Sequence, residues 1–197
     1  ANGELVSHLS SGAYLFYKTV EEEKAALKAA IEKAEKELDE KERKALEEKL
    51  ESYFKNGNIC AVLYSSPNNP TWMCLNEEEL EIIGRLATKY DVVVIEDMAY
   101  MTMDFRKDLG VPFHAPYQPS VSHYTDNYVI LISASKIFSY AGQRIAIACI
   151  SDALYERHYA SLKERYGIAR FGAAFAYVFL YSFSSGVSHS AQCAMAA

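Results

Sequence analysis

The sequence predicts an α/β fold, a mainly parallel sheet with flanking helices, preceded by a charged helix or helical hairpin. Three observations carry this reading. From residue 58 onward, short apolar runs alternate with amphipathic helical patterns, the rhythm of parallel strands joined by crossover helices. Before that, residues 20–51 shift abruptly to Glu, Lys, Ala and Leu with neither Gly nor Pro, a strongly helix-forming composition. Half of the 197 residues are hydrophobic, enough to bury one substantial core. The chain is therefore expected to divide into an N-terminal segment, residues 1–54, and an α/β core, residues 55–197.

In the charged segment Leu27, Ile31, Ala34 and Leu38 repeat on one face, and Leu46, Leu50 and Phe54 continue after a change of register. Asp39 followed by Glu42 matches a capping box that would split the segment into two helices, with one uninterrupted helix as the alternative. Glu32 and Lys36 have the spacing of an ion pair on a solvated face. Residues 59–65 then read as a buried strand. Asn76 caps a helix through Glu79, with Leu80, Ile83, Leu86 and Ala87 facing inward, and residues 92–96 form the next strand. Residues 101–126 make a long irregular stretch holding Pro112, Pro116 and Pro119, and connections of that length are usually functional. Residues 128–132 and 145–150 are two further strands. Residues 152–166 and 173–184 read as helices, the second apolar nearly all round and so expected to be buried.

Bulk properties exclude several classes of partner. A formal net charge of −6, with basic residues interspersed among acids, gives no electrostatic reason to expect nucleic acid or an anionic membrane. The longest apolar stretches are too short or too interrupted to span a bilayer, and no secretory signal opens the sequence. Cys60, Cys74, Cys149 and Cys193 form no CxxC pair and sit in apolar or small-residue contexts, as expected of reduced, buried thiols in a cytoplasmic protein. His8, His114, His123, His158 and His189 lack metal-ligand spacing, so no metal site is expected.

In an open α/β sheet, ligands bind at the carboxyl ends of the strands. Each predicted strand end here is followed by residues of chemical character: Ser65-Ser66-Pro67-Asn68-Asn69-Pro70-Thr71, Glu96-Asp97-Met98-Ala99-Tyr100 and Ser133-Ala134-Ser135-Lys136, with Ala141-Gly142-Gln143-Arg144 beyond them. One sheet edge would thus gather an amine, a carboxylate, a phenol, amides, hydroxyls and a guanidinium. Singly each has an ordinary explanation: a loop or cap carboxylate, a solvated lysine, a surface arginine.

Together and in this order they resemble the fold-type I pyridoxal-phosphate enzymes, and among these the class I/II aminotransferases of the aspartate aminotransferase kind. Asn68-Asn69-Pro70-Thr71 resembles the family's Asn-Pro-Thr-Gly turn, Asp97-Met98-Ala99-Tyr100 its Asp-x-x-Tyr element, Ser133-Ala134-Ser135-Lys136 its Ser-x-Ser-Lys element, and Gly142-Gln143-Arg144 its Gly-x-Arg. The resemblance implies pyridoxal 5′-phosphate as cofactor, with Lys136 forming the Schiff base and moving the proton, and Asp97 holding the proton of the pyridine nitrogen. It implies Asn69 and Tyr100 as donors to the ring oxygen, and Ser133, Ser135 and Arg144 around the phosphate. The implied substrates are an amino acid and a 2-oxo acid, and the implied assembly is a homodimer.

Trp72 departs from the pattern, standing where the family has Gly and narrowing the substrate side. The family's upstream phosphate loop, and the small domain with its substrate-binding arginine, find no counterpart. The chain is therefore expected to be a fragment or a redesigned core of the large domain. Two other readings stay open: a non-catalytic truncated or engineered scaffold that keeps the fold, and a lyase or decarboxylase of the same fold.

Overall fold

The computed structural model describes residues 6–8, 14–16, 20–109, 111–184 and 186–196. They belong to two compact units, Ala1–Leu46 and Glu47–Ala197. In the first, β1 (Val6–His8) pairs antiparallel with β2 (Tyr14–Phe16), and α1 (Val20–Phe54) begins. The helix is single: Asp39 lies inside it and caps nothing, because an interior Asp costs only a fraction of a kcal/mol, about 0.7 at most, in a run of good helix formers. Leu27 and Ile31 are each 50% exposed, so this part of the apolar stripe is not buried. Ion pairs run along the helix from Lys28 to Glu32 and from Lys33 to Glu37, both at 3.8 Å. The side chains of Ala34, Lys36 and Leu38, named above, lie outside the described residues.

The second unit takes the last turns of α1, because Leu50 and Phe54 pack there against Ile83, Leu86 and Val92. Glu47 pairs with Arg85 at 2.8 Å and Glu51 with Lys89 at 2.6 Å. Four strands follow: β3 (Ala61–Ser65), β4 (Val93–Asp97), β5 (Tyr128–Ser133) and β6 (Ala146–Ile150), hydrogen-bonded in that order. The first three are parallel and β6 is antiparallel to β5. A parallel neighbour needs a crossover, and the chain between β5 and β6 instead doubles straight back, with Ala134 N–H donating to the Ile145 carbonyl at 3.2 Å.

Between β3 and β4 lies α2 (Glu77–Tyr90). Asn76 accepts the N–H of Glu79 while Glu79 accepts that of Asn76, and three glutamates in the first turn suit the positive end of the helix dipole. Asp91, in the left-handed region, ends it. Leu80, Ile83 and Ala87 of α2 pack on one face of the sheet with Val62, Tyr64 and Val94. The other face, carrying Leu63, Ile95 and Leu131, lines an apolar cavity of about 510 Å3 with Leu162, Phe171 and Phe175.

Two helical expectations are corrected. Residues 152–166 form α4 (Asp152–Tyr155) and α5 (Ala160–Tyr166) instead of one helix. The chain between them is drawn into backbone bonds with a later segment, Tyr159 N–H to the Ala169 carbonyl at 2.9 Å and Phe171 N–H to the Arg157 carbonyl at 2.8 Å. The apolar C-terminal helix runs as α6 (Phe171–Ala174), a π-helical stretch (Phe175–Leu180) and α7 (Tyr181–Ser184), and it is not buried all round. Gly172, Ala173 and Ala174 pack inward, whereas Tyr177 is 71% and Phe183 86% exposed, since no described element covers that side. The last helix is α8 (His189–Ala196). The four cysteines are free, but Cys60, Cys149 and Cys193 are exposed where burial was expected. Cys60 precedes edge strand β3 and Cys149 lies on edge strand β6, so neither is enclosed by sheet on both sides. Among the described residues no helix is long and apolar enough to cross a membrane, and no cluster of His, Cys, Asp or Glu is arranged to hold a metal.

Candidate active site

The three parallel strands end at one edge. Ser65 lies alongside Asp97, and Asp97 alongside Leu131, two residues before Ser133. The turns that follow β3, β4 and β5 therefore leave the sheet side by side.

After β3, the Asn68 side chain organises the turn. It donates to Ser65 Oγ at 3.0 Å and accepts from Thr71 Oγ1 at 2.8 Å, while its backbone carbonyl accepts the Trp72 N–H at 2.6 Å. Asn69, at the tip, is left to reach outward, and its amide donates to the Tyr100 phenol at 2.8 Å. After β4, Asp97 Oδ1 accepts the N–H of Ala99 at 3.0 Å, which fixes the carboxylate and starts the turn that presents Tyr100. After β5, Ser133 caps the single-turn helix α3 (Ala134–Ile137), its hydroxyl accepting the Ser135 N–H at 3.2 Å. Lys136, exposed on α3, places its amine 5.8 Å from the centroid of the Tyr100 ring. Asn69, Tyr100 and Lys136 thus converge from three different strand ends. Asp97, Ser133 and Ser135 stand on the same edge. Arg144 is a different case: it sits in left-handed conformation, φ 52°, and its guanidinium donates to the Ala141 carbonyl of its own turn at 2.9 Å.

Behind the site is a buried carboxylate to which the sequence reading gave no role. Glu96 is fully buried and accepts from Ser120 Oγ at 2.7 Å, Tyr64 Oη at 3.0 Å and the Val121 N–H at 3.2 Å. Burial pushes its carboxyl above the ordinary range, against the pull of those hydrogen bonds, and burial beside Glu96 pushes the Tyr64 phenol up as well. The network ties the end of the long irregular stretch to β4, immediately before Asp97. Strand alternation was the available signal, since Glu96 shares its face with Val94. On the same stretch Asp104 grips Arg106 through two bonds of 2.8 Å, and the guanidinium holds the Asp104 carboxyl down to about 2.

A fold of this kind, with an amine, acid, phenol and amide gathered at its carboxyl edge, defines an α/β cofactor-binding core. The sequence profile of the family described as Aminotransferase class I and II matches residues 26–185, and the chain belongs to that family. It is 31% identical to the asparagine–oxo-acid transaminase of Streptococcus mutans over 105 residues, 53% of this chain and 25% of that protein. It is 28% identical to the aspartate aminotransferase of Bacillus subtilis over 121 residues, 59% of this chain and 30% of that protein. Among solved structures, an aspartate aminotransferase from Rhodobacter sphaeroides is 30% identical with a TM-score of 0.41, covering 52% of this chain and 25% of that one. The chain thus spans between a quarter and a third of the length of these relatives.

Pyridoxal phosphate is the cofactor of that family. The donor set present suits it: an amine for its aldehyde carbon, a carboxylate for its ring nitrogen, an amide and a phenol already joined to one another for its ring oxygen, and hydroxyls for its phosphate.

Proposed function

We propose that residues 55–197 are the cofactor-lysine part of a pyridoxal-phosphate-dependent aminotransferase that moves an amino group between an amino acid and a 2-oxo acid. The observation that carries this is the convergence of Asn69, Tyr100 and Lys136 from the ends of β3, β4 and β5. When bound, the cofactor supplies an electron sink for the bond broken at the substrate's α-carbon.

The residues have these roles. Lys136 Nζ holds the cofactor covalently and, once released, takes and returns the proton at the α-carbon. The Asp97 carboxylate, oriented by the Ala99 N–H, keeps a proton on the ring nitrogen. Asn69 and Tyr100 donate to the ring oxygen, their mutual hydrogen bond keeping both in position. Ser133, Ser135 and Arg144 hold the phosphate, the last after its guanidinium leaves the Ala141 carbonyl. The same reading takes the protein as a cytoplasmic homodimer.

The test is a pair of half-reactions on the chain loaded with cofactor. An amino acid should discharge the visible absorbance and a 2-oxo acid should restore it. Discharge without return marks a lyase or decarboxylase, and binding with no change in either step marks a non-catalytic scaffold.

A further inference from the structure

The turn that carries Asn69 runs on into Trp72, the single tryptophan of the sequence. Its backbone is left-handed, φ 58°, a conformation that a bulky residue adopts at a cost. The ring does not repay this by filling the core, for Trp72 is 40% exposed. It meets the Tyr100 ring edge-on at 5.3 Å and lies nearly parallel to Phe105, with centroids 6.2 Å apart and planes 12° from each other. Phe105 is 83% exposed. Tyr100 is also the ring beside the Lys136 amine, so one phenol lies next to both Trp72 and the candidate chemistry. Next to Phe105, the guanidinium of Arg106 is committed through two arms to Asp104. The wall therefore offers a neighbouring molecule flat apolar faces and no free guanidinium fork from Arg106.

We infer that Trp72 and Phe105 form the wall against which the side chain of the amino substrate lies, and that they select a planar, uncharged ring over a dicarboxylic side chain. The inference rests on the amino-transfer reading of the Lys136 site. Exposed ring faces gain from a third ring laid edge-on or offset against them, whereas a second carboxylate would need a cationic fork that Asp104 already occupies.

The test uses the 197-residue chain with added cofactor and two probes, 3-phenylpropanoate and succinate. Quenching of Trp72 fluorescence reports on one residue only, and calorimetry gives affinities for variants. 3-Phenylpropanoate should bind more tightly than succinate. Phe105→Ala should weaken 3-phenylpropanoate by roughly two- to tenfold and leave succinate unchanged. Trp72→Gly, which suits the left-handed backbone, should act in the same direction. Succinate binding as tightly as 3-phenylpropanoate, or an affinity for the latter unmoved by Phe105→Ala, overturns the inference. Covalent attachment of cofactor at Lys136 is followed in the same samples. Attachment without ring selectivity overturns the wall alone, whereas absence of attachment overturns the amino-transfer reading and, with it, the wall's role toward an amino substrate, even where a ring-selective surface remains.

Discussion

Asn69 donates its side-chain amide to the phenol of Tyr100 across 2.8 Å, joining the turn after β3 to the turn after β4 at the edge where Lys136 places its amine. The pair is exposed, so its worth to folding is small, about 1 kcal/mol. Its worth to the site is positional. Tyr100→Phe and Asn69→Ala should each weaken cofactor binding about tenfold by absorbance titration, a loss of about 1.4 kcal/mol. The double variant should lose less than the sum, because each single change already frees the other side chain. Full additivity would mean that the two residues act independently.

Glu96 gives the protein a pH dependence of defined sign. Burial holds its folded carboxyl above the ordinary value of about 4.3, so between those two values the folded state binds more protons than the unfolded one. The stabilisation is complete below the unfolded value and is lost as pH rises through the folded one. Urea unfolding of the unsubstituted chain and of Glu96→Gln across this window should therefore give a stability difference that falls with rising pH. Glu51, held down to about 2 first by Lys89, and Asp104, held down to about 2 by Arg106, slope the opposite way in both proteins and cancel in the difference. Glu96→Ala leaves the Tyr64 and Ser120 hydroxyls and the Val121 N–H without their acceptor, and should cost on the order of 3 kcal/mol.

Gly84 sets how closely α2 approaches the 3₁₀ turn Val121–His123 and Tyr124 after it. A methyl group at Gly84 would meet the Tyr124 Cβ at 2.6 Å and its backbone carbonyl carbon at 3.0 Å, neither of which can swing away. Gly84→Ala should therefore lower stability by about 1–3 kcal/mol in urea, despite the better helix propensity of Ala. A stabilised variant would mean that the turn gives way freely.

The positions of the strands and α2 were legible from local signals, but residues 59–65, read as a buried strand, contain the edge strand β3 with Leu63 66% exposed, because strand pairing on one side only leaves it open. Asn76 and Glu79 announce the helix start, and the spacing of Leu80, Ile83 and Leu86 gives its buried face. The site order was legible because three of the four motifs follow the ends of β3, β4 and β5, whereas Gly142-Gln143-Arg144 lies in the turn that leads into β6. What the sequence hid was non-local. The break between α4 and α5 comes from backbone bonds to residues ten or more positions on, at Ala169 and Phe171, which no local pattern encodes. The exposure of Tyr177 and Phe183 could not be read from composition, since an apolar helix looks the same whether or not a neighbour covers it. Phe105 was lost among the residues of the long irregular stretch, and only the fold brings it to Trp72.

The most direct test of the account is the position of the covalent link. The chain is incubated with pyridoxal phosphate, reduced with borohydride, digested, and its peptides weighed, with Lys136→Gln as the comparison. One adduct on the peptide containing Lys136, absent from a Lys136→Gln protein that is still folded, is the predicted result. An adduct on a different lysine, or an adduct unaffected by Lys136→Gln, contradicts the central claim.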